Sequence, residues 1–509
     1  MDTFAKFAMS GLELLGSLFL FTVGLLALGA VGLYIYNKTQ TKNTIWRNYP
    51  VFGHFRNLFQ TLGEFFRQYF FAQDREEMPF NRAEREWVGH VCEAGKDVVP
   101  FGSTKVFQPG MPIFANGLFP KLDGDIPSAR EPFTIGPDSP HPYPPISLFN
   151  ISAMSYGSLS APAIRALSHG AQMGGCYLNT GEGGVSPFHL EGECDIVYQL
   201  GTAKFGARND DATLNEDKLA KICENPNIKM IEIKLSQGAK PGKGGILPAA
   251  KVNKEIADIR GIPEGKAALS PNRHVDAGNP EELLDLIDQV RRVSQRPVGI
   301  KFCMGQVKPI QDLLDTISTR GIASAPDYIA LDSGDGGTGA APMPLIDSTG
   351  MLIEDSLPLL DDMLTDAGLR DRIKIIASGK LITSADVAWA FCVGADMVNN
   401  GRGFMFALGC IQALKCDKNT CPTGITTHDK RLQQGLDPTN KAVRVRNYIK
   451  TLNEEVEMIA HACGVDCPRD LTREHLLVMQ ASGRTRPFTK VWNPDRYLSP
   501  ERSQPTKGG

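Results

Sequence analysis

Basic residues do not outnumber acidic ones in this chain: 54 Lys and Arg stand against 57 Asp and Glu, a net charge of −3. A nucleic-acid partner is not expected, because such proteins usually carry a basic patch or stripe. A disulfide framework is missing too. The 11 Cys are odd in number and scattered over 509 residues, which reads as reduced thiols rather than a secreted scaffold. No G-x-G-x-x-G follows the first predicted strand, so a doubly wound dinucleotide-binding sheet has little support. Long apolar runs are scarce as well, with one conspicuous exception at the N-terminus.

That exception is Leu14 to Tyr36, uncharged and rich in Leu, Phe, Gly, Ala and Val. At about 1.5 Å per residue it is long enough to cross a bilayer core. Tyr34 and Tyr36 sit where an interfacial aromatic belt belongs. A cleaved signal peptide is the rival, but its apolar region is usually shorter and no small-x-small site closes this one. Lys38, Lys42, Arg47 and Arg56 follow the run, and Lys6 precedes it. The positive-inside rule then predicts a single-pass membrane protein whose catalytic domain is cytoplasmic. Residues 1–42 form the anchor in this reading.

Residues 43–145 read as a helical lead-in and an extended collar. In the lead-in Val51, Phe52, Phe55, Leu58, Phe59, Leu62, Phe65, Phe66, Tyr69 and Phe70 recur at helical steps. The apolar face is expected to pack on the following domain, with a membrane-surface helix as the alternative. The collar, from about residue 99, is rich in Pro and Gly and ends at Pro140, Pro142, Pro144 and Pro145.

From Ile146 strand and helix patterns alternate. Strands are predicted near 148–154, 176–179, 195–199, 229–235, 297–303, 327–332, 373–378 and 395–400. Helices fall between most of them, among them Pro162–Met173, Pro280–Ser294 and Ser384–Val393. Eight such units over residues 146–430 predict an α/β fold of the (β/α)8 TIM-barrel type. The 236–275 segment is too long for a crossover and reads as an active-site insertion. Residues 431–498 are expected to form a helical extension, and 499–509 a disordered tail.

Chemistry is expected at the C-terminal ends of the strands. Lys301 lies inside an apolar strand, where an ammonium needs an anionic partner; it could meet the edge of a flavin or a structural carboxylate. Gly336, Gly337, Gly379 and Gly401, after the last three strands, suit the phosphate site of these barrels. Just beyond lie Cys410, Cys416 and Cys421, spaced C-x5-C-x4-C. Thiolates this close suit an iron–sulfur cluster. Zinc usually wants a fourth ligand, which His428 could supply, and the bland reading is three buried cysteines.

The cysteine segment and four ordered motifs resemble the FMN-binding glutamate synthase family. The motifs are Ser-Ala-Met-Ser-Tyr-Gly-Ser at 152–158, Asn-Thr-Gly-Glu-Gly-Gly at 179–184, Gln-Gly-Ala-Lys-Pro-Gly at 237–242 and Asp-Gly-Gly-Thr-Gly at 335–339. The resemblance covers roughly residues 140 to 430. It implies FMN on a TIM barrel, a 3Fe-4S cluster on the three cysteines, and reductive amination of 2-oxoglutarate or a related oxoacid with ammonia or an amine. It implies catalytic roles for Lys240, Arg260, Glu182 and Gln237, with Lys240 near flavin and oxoacid and Arg260 on a substrate carboxylate. Ala153, Met154, Ser155, Asn179, Lys301, Ser333, Asp335, Gly336, Gly337, Gly379, Gly401 and Arg402 would hold FMN.

Two departures matter. The family places a substrate-facing glutamine where this chain has Ile246, which puts the oxoacid's identity in question. The N-terminal Cys nucleophile of a glutaminase domain is not found, since the chain starts Met-Asp and its first Cys is Cys92. No pyridine-nucleotide domain is recognised, so a separate electron-donor protein is expected. Two other readings stay open: a flavin dehydrogenase of amino or hydroxy acids feeding a membrane acceptor, and an electron-transfer subunit without imine chemistry.

Overall fold

A computed structural model describes residues 2–93, 98, 101–122 and 133–497. The expected tail from Ser499, and part of the collar, lie outside them. The chain divides into two units, Met1–Ala83 and Glu84–Gly509.

The first unit opens with one long helix, Asp2–Thr39. Its Met9–Thr39 part is apolar and long enough to span a membrane. The predicted run Leu14–Tyr36 falls inside it. A short helix, Thr44–Asn48, and a longer one, Gly53–Phe66, follow, the latter continuing as a wider turn over Arg67–Phe71.

In the second unit eight parallel strands close into a barrel. They are β1 Phe149–Ile151, β2 Leu178–Asn179, β3 Ile196–Leu200, β4 Ile228–Lys234, β5 Val298–Cys303, β6 Tyr328–Asp332, β7 Lys374–Ser378 and β8 Met397–Asn400. Each predicted segment contains or overlaps one of them. They pair in sequence order, and the ring closes where Asn400 of β8 meets Ile151 of β1. Buried on both faces, such strands read as near-continuous apolar runs, which is why they were legible.

The interior is layered along each strand with a period of two. At the floor Val197, Met230, Tyr328, Ala330, Ile376 and Met397 form one apolar cluster, with Ile135 and Tyr143 of the collar packed beneath. One step up β4, Glu232 accepts hydrogen bonds from Asn179 Nδ2 at 2.9 Å and Gln199 Nε2 at 2.6 Å. One step further, Lys234 reaches the mouth. The same strand therefore runs from apolar floor through a polar middle to a cationic rim.

Outside, the helices Ala161–Gly174, Pro280–Ser294 and Ser384–Cys392 match their predicted spans closely. The extension contributes a 25-residue helix, Pro438–Ala462, packed on Ala161–Gly174. A Cβ at Gly170 would stand 2.5 Å from Val445, so the two helices approach where only glycine fits. The extension is not wholly helical. Leu476–Met479 pairs with Pro112–Phe114 of the collar and with Thr485–Pro487, making a three-stranded antiparallel sheet. These strands are three or four residues long, too short to leave a periodic signal.

Candidate active site at the barrel mouth

The C-terminal ends of the strands surround a cleft enclosing about 1270 Å³, its open mouth included. Twelve of the nineteen residues singled out from the sequence line it: Ala153, Met154, Ser155, Glu182, Gln237, Lys240, Lys301, Gly337, Gly379, Gly401, Arg402 and Cys416.

One wall is built on β4 and the insertion after it. Lys234 Nζ lies 3.2 Å from Glu182 Oε2 and 2.5 Å from Gln237 Oε1. Burial would raise the Glu182 carboxyl, but Lys234 and Lys240 outweigh it and hold its pKa below the ordinary value. Lys240 is pulled the other way. Burial and the neighbouring Lys234 lower its pKa to about 8, with Glu182 opposing. The loop that carries Lys240 is pinned to β6, because Asp332 Oδ2 accepts the Gly238 N–H at 2.8 Å and Gly334 O accepts the Ala239 N–H at 2.9 Å. Asp332 also accepts from Ser378 Oγ at 2.7 Å.

The expected insertion is present and folds over the cleft. It holds a small antiparallel pair, Ile246–Leu247 with Ala268–Leu269, and a helix, Lys254–Arg260. Ile246, Leu247, Pro248 and Lys251 line the cleft. Lys251 Nζ donates to the carbonyls of Cys416 at 2.9 Å, Thr426 at 2.8 Å and Ser158 at 3.3 Å. One lysine thus ties the insertion to the cysteine loop and to the loop after β1.

Beside Lys234 in the ring stands Lys301 on β5, and cations and glycines follow on the loops after β6, β7 and β8. Lys301 is buried, 5% exposed, and its ammonium forms no hydrogen bond or ion pair among the described residues. Arg402 Nη2 donates to Thr338 O, and Lys380 Nζ pairs with Asp335 Oδ2 at 2.7 Å, so the loops after β6, β7 and β8 are tied together. A Cβ at Gly401 would meet only Met154 and Ser152, at 3.6 and 4.0 Å, both cleft residues. A buried ammonium without a partner among the described residues, in the same cleft as bare backbone at Gly401, suits a bulky anionic ligand.

Seven of the predicted residues stand elsewhere. Asn179 is in the barrel's middle layer. Ser333 Oγ donates to Asp335 Oδ1 at 2.5 Å and accepts the Ile353 N–H at 3.1 Å, so Ser333, Asp335 and Gly336 shape the β6 loop from behind. Arg260 is 3% exposed, behind the Glu182 loop. Its Nη2 donates to Tyr156 O at 3.2 Å, its guanidinium carbon is 5.3 Å from the centre of the Phe205 ring, and its Nε has no partner. Burial lowers its pKa to about 10, with Glu182 opposing.

Cys410 and Cys421 lie beside the cleft. Cys410 Sγ accepts the Gln412 N–H at 3.4 Å, yet burial keeps its thiol above the ordinary value. Burial would raise Cys421 too, but hydrogen bonds from Thr423 and Thr426 prevail and lower it. Among the described residues no group of three or more His, Cys, Asp or Glu is placed to hold a metal ion. His428, the alternative fourth zinc ligand, has Nε2 2.9 Å from Gly157 O.

Lys234, Lys251, Gln199, Asp332 and Asn399 line the cleft without having been singled out. Lys234 carried the same signal as Lys301, a lysine in an apolar strand. Lys251 had none, because a lysine in a loop reads as solvated.

The chain matches the family described as the conserved region in glutamate synthase over residues 128–466. It is 38% identical to the glutamate synthase large subunit-like protein YerD of Bacillus subtilis, over 92% of this chain and 96% of that one. It is 35% identical to the archaeal-type glutamate synthase [NADPH] of Thermotoga maritima, over 63% of this chain and 60% of that one. With the archaeal glutamate synthase [NADPH] of Methanocaldococcus jannaschii the identity is 36%, over 62% and 59%. The match thus spans about 60% of the length of these two synthases. Among solved structures, a mandelate oxidase mutant with a monooxide FMN adduct superposes with a TM-score of 0.41 at 14% identity, over 74% of this chain and 88% of that one.

Proposed function

The chain belongs to the glutamate synthase family, and from that premise we propose that it is an FMN-dependent oxidoreductase that reductively aminates a 2-oxoacid, 2-oxoglutarate first among them. The observation that carries this reading is the mouth itself, where Lys234, Lys240 and Lys301 face one cleft with Glu182 and Gln237.

FMN would be held by the Ala153–Ser155 backbone, by Lys301, and by the loops at Gly379 and Gly401–Arg402, and when bound it supplies hydride transfer. The chain's own residues do the rest. Lys240, charged below about pH 8, holds the oxoacid's carboxylate, and an ammonium of that acidity can pass its proton to the nitrogen of the substrate imine. Glu182, kept ionised by its lysines, orients ammonia or an amine by accepting its N–H. Lys234 locks Glu182 and Gln237 in place. Ile246, an apolar residue in the cleft, excludes water from one side of the substrate and favours an oxoacid or amine with apolar surface. Arg260 supports the loop bearing Glu182 from behind.

A multi-iron cluster on Cys410, Cys416 and Cys421 belongs to this reading through the family resemblance. Hydrogen bonds from Thr423 and Thr426 hold the Cys421 thiol below its ordinary pKa, Cys410 Sγ accepts a backbone N–H, Cys416 lines the cleft, and His428 Nε2 lies 2.9 Å from Gly157 O. A 3Fe-4S cluster there would relay electrons from an external donor protein. The helix Met9–Thr39 would anchor the chain in a membrane by a single pass, with the barrel on the cytoplasmic side.

The test is an anaerobic mix of photoreduced enzyme with 2-oxoglutarate and an ammonium salt, repeated with other oxoacids and methylamine. Reoxidation of the flavin that needs both compounds supports the proposal. An amino or hydroxy acid that bleaches the oxidised enzyme, with no reoxidation by any oxoacid–amine pair, would replace it with a dehydrogenase.

A further inference from the structure

We propose that the aromatic helix following the N-terminal helix lies in the headgroup–acyl boundary of a lipid bilayer, as a second membrane contact. The proposal rests on reading Met9–Thr39 as a membrane span and adds a surface to it. Of the two readings the sequence left for this apolar stripe, it takes the membrane-surface helix.

The two helices meet at a built elbow. Asn37, fully buried at the end of the first helix, donates Nδ2 to Pro50 O at 2.6 Å and stands 2.8 Å from His54 Nε2. Trp46 stacks on His54 at 4.3 Å. Gln40 brackets Asn43, donating to its carbonyl at 2.7 Å and accepting its N–H at 2.8 Å. The start of the helix Gly53–Phe66 is thereby held within a turn of the point where the span emerges, at the depth of the headgroups.

The helix presents one apolar stripe, in which Phe52, Phe55, Phe59, Leu62, Phe66 and Phe70 recur every three or four residues. All are exposed, Phe59 by 66% and Phe70 by 74%. An isolated helix of this length is marginal in water, and contiguous apolar patches this large mark a contact surface. Phe and Leu opposite a basic face are the residues that interfacial amphipathic helices bury in the headgroup–acyl boundary. Between Lys38 and Phe71 the charges are Lys38, Lys42, Arg47, Arg56 and Arg67 against Glu64 alone. That balance suits anionic headgroups, at about 1 kcal/mol per basic residue near the surface, and amphipathic helices of this kind bind lipid through both terms.

The test uses the full-length chain in nanodiscs that contain anionic lipid. Phe59→Trp and, separately, Phe70→Trp add emission on the stripe, and the second keeps the test alive if the first fails to fold. Lipids brominated either near the headgroup or near the acyl end serve as quenchers. The expected result is at least twofold stronger quenching of the added emission by the shallow bromines than by the deep ones. Added emission that neither bromolipid quenches, in a chain that resists carbonate extraction from vesicles, would overturn the proposal and place the stripe against protein. A chain that carbonate strips from vesicles would overturn the span reading, and this proposal with it.

Discussion

Lys234 and Lys301 stand side by side in register across β4 and β5. Neighbouring strands lie about 4.8 Å apart, so two ammonium-bearing side chains leave the barrel mouth together. Only Lys234 has an anionic partner, Glu182 at 3.2 Å. Lys301 is a buried cation beside a like charge, an arrangement that calls for an anion from outside the chain.

Replacing Lys301 should therefore cost flavin and spare the fold. Lys301→Met removes the repulsion with Lys234 while weakening FMN binding at least tenfold, about 1.4 kcal/mol. Lys234→Met should leave FMN affinity much closer to wild type. Fluorescence titration of flavin-depleted protein measures both. Equal FMN affinity in wild type and Lys301→Met would remove Lys301 from the flavin site.

Lys240 sets an alkaline limit on oxoacid binding. Its ammonium is intact below about pH 8 and is lost above it, so 2-oxoglutarate affinity should be flat below that point and fall toward tenfold per pH unit beyond it. Glu182→Gln removes the charge that raises Lys240, and the break should move to lower pH. Stability runs the opposite way. The pKa is about 8 folded against 10.5 for the ordinary side chain, so the unfolded chain binds more protons in that window and stability rises with pH through it. Flavin spectral titrations with 2-oxoglutarate across the range check the first statement. A pH-independent affinity would sink it.

Gly245 tests the position of Glu182. A Cβ there would stand 1.9 Å from Glu182 Oε1. Gly245→Ala should push the carboxylate away from Lys234, with an overpacking cost of about 1–3 kcal/mol, and reduce turnover at least tenfold with FMN content unchanged. Gly305→Ala, where nothing lies within 4 Å, is the matched control. Normal turnover in Gly245→Ala would show that Glu182 is not needed in its present place.

Cys416→Ser should remove iron and leave most of the FMN, because the glycine loops and Lys301 belong to other elements. Iron assay, absorption spectra and flavin release report the two cofactors separately. Wild-type protein is expected to hold about three irons per chain, the content of the proposed 3Fe-4S cluster. Stoichiometric zinc without iron would end the cluster assignment.

The barrel was legible in the sequence because parallel strands buried on both faces are continuous apolar runs, and their order along the chain is their order around the ring. Ordered motifs at the strand ends located the cleft for the same reason, since every parallel strand delivers its C-terminal loop to one rim. Lys301 could be named on that logic, and Lys240 and Glu182 through the family resemblance carried by the same loops. What the sequence could not decide was where a side chain points once its loop has turned. Lys251 reaches Cys416, 165 residues away, through a path set by the folded insertion. Arg260 faces Tyr156 and Phe205 behind the Glu182 loop because its helix packs with that side inward. The sheet joining Pro112–Phe114 to Leu476–Met479 exists only because the fold brings two short segments into register. Periodicity reports burial along one element; contacts between distant elements, and the charge environment they create around Lys234 and Lys240, come only with the tertiary structure.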